Sequence, residues 1–265
     1  MQTLQTSPTL KAPNPRRKFD PWAQPAKSTY QDLIFKEEYL DRQLELRPGT
    51  TWMRIIPNNT EKYEWMLPIH AIRTEHFQFI HPKTTGSEIR CVFDDAYAWF
   101  KTNDPEALFS KNNRNGFRLL SDRMVAFWVA IQEGSDVVTR LFLHNGYNGD
   151  RGGLAGLGYR VLQLTQDEDE DGHPMQEIVD AETGVQIGIE KAKPMGAQFP
   201  RYDLHVGRIA CPLNTMLAKM SDEEQRAVCP IEDTVRVLTR AEQWPLLAKI
   251  VGADLANRIR GSFDQ

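Results

Sequence analysis

Hydrophobic positions are densest over residues 122–147, where β-branched and aromatic side chains fill two arms around Glu133-Gly134-Ser135-Asp136. That pattern predicts a β-hairpin with the glycine in its turn. Successive strand residues point to opposite faces. Val125, Phe127, Val129 and Ile131 therefore share one face of the first arm, and Met124, Ala126, Trp128 and Ala130 the other. In the second arm, Val137, Thr139, Leu141 and Leu143 oppose Arg140, Phe142 and His144. The expected hairpin has one apolar face and one face carrying Trp128, Phe142, Arg140 and His144. Rings and cations on one sheet face suit a single-stranded nucleic acid, whose bases stack on rings while cations neutralise its phosphates. The competing reading is a sheet buried on both faces, with Arg140 at its rim.

The same logic extends along the chain. Pro48-Gly49 marks a turn, and a strand is expected over 50–56. It places Met53 and Ile55 on one face and Trp52, Arg54 and Ile56 on the other. Residues 30–42 suggest a short helix, and 63–79 an extended segment interrupted at Pro68. Short helices are expected over 94–101 and 105–110, the second opened by Asp104-Pro105. A second hairpin is expected over 178–190 around Glu182-Thr183-Gly184, and a last strand enters at Phe199. From 214 the pattern turns helical, with a capping-box signature at Ser221-Asp222-Glu223-Glu224 and a break at Gly252.

Composition narrows the classes. A chain of 265 residues is long enough for one large domain with appendages. No apolar run reaches membrane-spanning length, and the start lacks the apolar core of a signal peptide. Three cysteines, Cys91, Cys211 and Cys229, make no disulfide framework, which fits a reducing cytoplasm. The net charge of −4 argues mildly against an indiscriminate nucleic-acid binder, but 166–185 holds many carboxylates and no Lys or Arg. Basic clusters recur elsewhere. Residues 1–28, with Arg16-Arg17-Lys18 and Lys27, read as a disordered basic arm. The loop 111–118, with Arg114, Phe117 and Arg118, is either a clamp or an ordinary solvated loop, and Lys191 and Lys193 mark another basic loop.

Catalytic constellations are missing from the pattern, so no enzyme and no cofactor are expected. The glycine-dense stretch 146–158, which opens on Gly146-Tyr147, lacks the Lys-Ser/Thr ending of a phosphate-binding loop. The acidic run 167–171 lacks EF-hand spacing. His81 and Cys91 make half of a zinc site with no evident second pair, and no metal is expected.

The order of parts carries a resemblance. A Trp-Met-Arg-Ile-Ile-Pro strand (52–57) precedes aromatic- and His-containing segments and the 123–143 hairpin. A Gly-rich connection, an acidic turn, and Ile178, Asp180, Gly184, Ile187 and Ile189 follow, then Phe199-x-x-Tyr202 and Cys211-Pro212. Over about 46–213 this resembles the bacteriophage single-stranded DNA-binding proteins of the helix-destabilising type. The resemblance implies an OB-fold core, a small Greek-key barrel. Joined to the pattern read above, it gives an expected α+β protein with an OB-fold-like β-barrel core over 29–213, a disordered arm over 1–28 and a C-terminal helical appendage over 214–265. It implies sequence-tolerant coating of single-stranded DNA in phage replication, recombination or repair, in the cytoplasm of an infected bacterium. Partners would be single-stranded DNA, further copies engaged through the arm, and replication or recombination proteins, with no membrane. Phe199 and Tyr202 match an aromatic pair that contacts DNA, and Trp52 and Arg54 match the first-strand position approximately. The zinc-ligand set of some members is incomplete here, and the family's acidic tail is replaced by helical sequence. The candidate contact residues are Trp52, Arg54, Arg114, Phe117, Arg118, Arg123, Trp128, Arg140, Phe142, Tyr147, Lys191, Lys193, Phe199 and Tyr202. A single-stranded RNA binder and a virion or assembly protein without nucleic-acid binding are the alternatives.

Overall fold

A computed structural model describes residues 31–57, 65–72, 77–147, 155–166, 178–197 and 200–264. The strands are β1 (Gln31–Leu33), β2 (Gly49–Ile56), β3 (Trp65–Ile72), β4 (Phe77–Ile80), β5 (Asp122–Glu133), β6 (Asp136–Asn145), β7 (Val185–Ala192) and β8 (Arg201–Ala210). The α-helices are α1 (Val92–Asn103), α2 (Leu157–Gln166), α3 (Leu213–Leu217), α4 (Asp222–Ala227), α5 (Ile231–Thr234), α6 (Arg240–Val251) and α7 (Ala253–Phe263). The protein is mixed α+β. The basic arm, the acidic run 167–171 and Phe199 lie outside the described residues.

β5 organises the sheet. One edge pairs with β6 from Glu133↔Asp136 to Met124↔Asn145. The other edge is divided, with 122–126 pairing β3 and 128–131 pairing β2. The sheet therefore forks, one branch running β3–β4–β1 and the other β2–β7–β8. All pairings between strands are antiparallel except β1–β4. The end strands β1 and β8 are not paired with each other, so the expected barrel does not close. The second branch does curl. The His144 ring on β6 comes within 5.2 Å of the Tyr202 ring on β8, and Arg160 of α2 donates to the Tyr202 carbonyl at 2.8 Å.

The hairpin forms as expected, but its faces do not. Its turn is Gly134-Ser135, with Gly134 at φ +67°, a left-handed value that a side chain disfavours. A two-residue turn sets the register, and directly paired residues share a face. Trp128 pairs with Leu141, Phe127 with Phe142 and Val129 with Arg140. Trp128 is thus on the opposite face from Phe142, Arg140 and His144, and the expected aromatic-and-basic face does not exist. The Phe127 and Phe142 rings stack at 4.6 Å inside a cluster with Met53, Ile55, Ile187, Ile189 and Val161 of α2. Trp128 and Ala130 join Leu67, Leu141, Met216, Ile231 and Val235. Burying such side chains contributes about 1.5–3 kcal/mol each. Both faces of β5 are core.

Other expectations shift for local reasons. Residues 213–263 are mostly helical, and their side chains help to fill two of the three clusters. The Trp128 indole donates to the Cys229 carbonyl at 2.8 Å, and Trp244, Leu247 and Ile259 pack with Phe77, Phe93 and Phe100. β3 runs through Pro68. Residues 31–42 form β1 and a 3₁₀ turn (Glu37–Arg42) instead of a helix. Pro105–Ala107 is a 3₁₀ turn. Of the hairpin expected over 178–190, only the second arm is a strand, because its two edges are taken by β2 and β8; the carbonyls of Ile178 and Asp180 accept from Arg54 instead.

Candidate nucleic-acid interface and a four-donor cluster

β2 runs from an open edge into the core, and this decides the fate of the two residues expected to act together on it. Trp52 is 42% exposed. Its partner across the strand is Gly188, and a Cβ there would sit 3.1 Å from the indole ring. The absence of a side chain lets the ring lie over β7. The next paired residue is His205 on β8, bonded to Glu190 at 3.1 Å. Arg54, two residues further on, is 0% exposed. Its guanidinium donates to the carbonyls of Cys211 (3.0 Å), Ile55 (3.0 Å), Ile178 (2.7 Å) and Asp180. Desolvation lowers its pKa. Arg54 is a structural clamp and cannot reach a nucleic acid.

Trp128 and Phe142 are likewise buried and are removed from the interface. Arg140 is half-buried and held by both carboxylate oxygens of Glu133, at 3.0 and 3.1 Å. Lys191 donates to the Leu46 carbonyl at 2.8 Å, while Lys193 is half-buried without an ion pair among the described residues. Tyr147 is half-buried, and its N–H donates to Asn145 Oδ1 at 2.9 Å. Tyr202 packs on His144 and the cluster beneath β7, and burial raises its pKa.

The loop before β5 does gather several expected residues. The bridge Leu108↔Phe117 pinches it, and Gly116 lies against the Leu108 backbone, where a Cβ would collide. Phe117 is half-buried, with its ring 5.2 Å from Phe100, so it anchors the loop. Outward stand Phe109 (47% exposed) and Leu120 (56% exposed). Arg118 lies 5.8 Å from the Phe109 centroid and bonds Asp122 at 2.6 Å. Lys111, Arg114 and Arg123 are exposed and have no carboxylate partner among the described residues. Sequence reasoning missed Phe109. Its signal was an aromatic beside Lys111 in a stretch, 109–121, that holds three cations and no carboxylate.

No metal site is expected from the sequence, where His81 and Cys91 lack a second pair; in the fold His70 and Asp94 stand beside them. One donor atom from each of His70, His81, Cys91 and Asp94 lies within 4.8 Å of the others. β3 positions His70, His81 precedes a 3₁₀ turn after β4, and Cys91 and Asp94 open α1. Cys91 Sγ is 3.4 Å from His70 Nε2, and His81 Nε2 is 3.0 Å from Asp94 Oδ2. The Asp94 bond, with a second from Cys91, raises the His81 pKa to about 9, and the His81 bond lowers that of Asp94. Burial pushes His70 down to about 3. Its Nδ1 makes no hydrogen bond of good geometry, although the Leu119 backbone lies near enough to favour protonation. Two imidazoles, a thiol and a carboxylate are a zinc-class donor set. Ligation through His81 Nε2 would place the ring proton on Nδ1 and displace the 3.2 Å bond from the Lys83 N–H. That contact is weak, so the residues fit such an ion. The legible signal was a carboxylate three residues after Cys91 in the first turn of a predicted helix.

Comparison with protein-family models and with curated proteins finds no match for this chain. Among the described residues, no helix is long and apolar enough to cross a membrane.

Proposed function

We propose that the protein binds single strands of nucleic acid, DNA in the first instance, with little sequence preference, and that it contacts them through the loop 109–123 and through Trp52. The observation that carries this reading is the loop. Exposed Phe109 and Leu120 stand beside Lys111, Arg114, Arg118 and Arg123, three of which have no carboxylate partner among the described residues. Cations track the phosphates and rings stack on bases of any identity, so such a surface binds without reading sequence. Trp52, open on the outer face of β2, adds a second stacking ring.

The likeness of motif order to phage helix-destabilising proteins supports DNA coating in replication, recombination or repair. The forked, half-curled sheet is compatible with an opened relative of the OB-fold barrel. The reading involves no catalysis. Its test is a tryptophan-fluorescence titration with poly-dT, repeated with a matched RNA. Saturable quenching that weakens with salt is expected, with DNA at least as tight as RNA. Tighter RNA binding would move the assignment to RNA, where the 2′-OH is the distinguishing group. No binding to either polymer would overturn it.

A further inference from the structure

The four-donor cluster and the C-terminal helix pair α6–α7 grip the same turn of α1 from two sides. Cys91 is the N-cap of α1 and Asp94 lies in its first turn, so two donors belong to that turn. The first N–H groups of a helix have no partner within it. That of Val92 is taken by Gln243 Oε1 of α6 at 2.9 Å, and Gln243, wholly buried, also donates to the Leu238 carbonyl at 2.9 Å. Asp95, next to Asp94 and 3% exposed, accepts from Arg90 at 2.6 Å and from Arg240 of α6 at 2.8 Å. Arg240 continues to Asp264 beyond α7, and Asp264 accepts from the Trp244 indole at 3.1 Å. Adjacent helical residues point about 100° apart, which lets Asp94 face the cluster while Asp95 faces α6.

We propose that a zinc-class ion held by His70, His81, Cys91 and Asp94 sets the docking of α6–α7, acting through the first turn of α1 that both grip. Ligation ties β3, the turn after β4 and the start of α1 to one point, and such closure removes freedom from the turn. Without it, Cys91 offers α1 no side-chain cap. Fraying of that turn would withdraw the partners of Gln243 and Arg240, and buried polar groups left unpaired favour undocking. The inference is independent of the nucleic-acid reading.

The experiment uses the full chain. Zinc content is measured by atomic absorption and hydrogen exchange is followed after chelation and after zinc is returned. The expectation is one zinc per chain, exchange over 240–263 accelerated about tenfold or more on removal and restored on return, and β5–β6 unchanged. Cobalt substitution should give the visible bands of a four-coordinate nitrogen–sulfur site. Cys91→Ser should lose the ion and show fast exchange insensitive to zinc. Gln243→Met should keep the ion yet show faster exchange over 240–263. Absence of stoichiometric zinc, a bound ion whose removal leaves 240–263 protected, or loss of protection spreading equally to β5–β6 would each overturn the proposal.

Discussion

Trp52 and Arg54 project from the same face of β2, two residues apart, and the protein uses them differently. The ring stays open over Gly188, while the guanidinium is enclosed by four carbonyls. Trp52→Ala should weaken binding to poly-dT by about 1–3 kcal/mol whatever the base composition. Because the ring is partly exposed, the cost in folding stability should stay under about 1 kcal/mol. Paired titration and urea-denaturation curves check both, and lost stability with unchanged affinity would remove Trp52 from the interface. Arg54→Met should do the reverse. It leaves buried carbonyls without donors, so about 3 kcal/mol or more of stability should be lost in urea denaturation, with affinity per folded molecule unchanged. Sequence alone paired the two residues, correctly by parity, but parity says nothing of what lies above a face.

At the scale of elements, the seam between β6 and β8 carries a pH dependence. Burial, with Lys191 nearby, lowers the His144 pKa from 6.5 to about 4. A group whose folded pKa is depressed takes up its proton more readily in the unfolded chain. Stability from His144 is therefore complete above about pH 6.5, declines as pH falls towards 4 and levels off below it. Each unit is worth about 1.4 kcal/mol, so the term is at most about 3.5 kcal/mol. Urea denaturation between pH 4 and 7 should show that slope, and His144→Phe should flatten it. An unaltered slope would assign the pH dependence to other groups. The hairpin that carries His144 was legible in its strands and its turn. Its faces were misread because the two arms were aligned even to even, whereas Glu133↔Asp136 pairs odd with even throughout.

Over the whole molecule, binding should follow the cations of the 109–123 loop. If Lys111, Arg114, Arg118 and Arg123 all contact phosphates, log K should fall against log salt with a slope of about −2.8 on a single strand. Changing Lys111, Arg114 and Arg123 to Gln together should make the slope shallower by about 2. A flat response in the unaltered protein would remove the electrostatic part of the proposal. The sequence by itself determined the local matters: the β2 strand, the 122–147 hairpin, α1, the helical C-terminal region with its break at Gly252, and the basic loop before β5. Periodicity and turn chemistry are carried by neighbours in the chain, so these could be read directly. Tertiary structure alone decided that β5 is core on both faces, that Arg54 is sealed beneath the 178–184 turns, and that His70 and Asp94 complete the donors begun by His81 and Cys91. Those outcomes depend on which segments meet across the fold: the register of a hairpin, the turn that passes over a strand, and the helix that abuts it. Distance along the chain does not encode them.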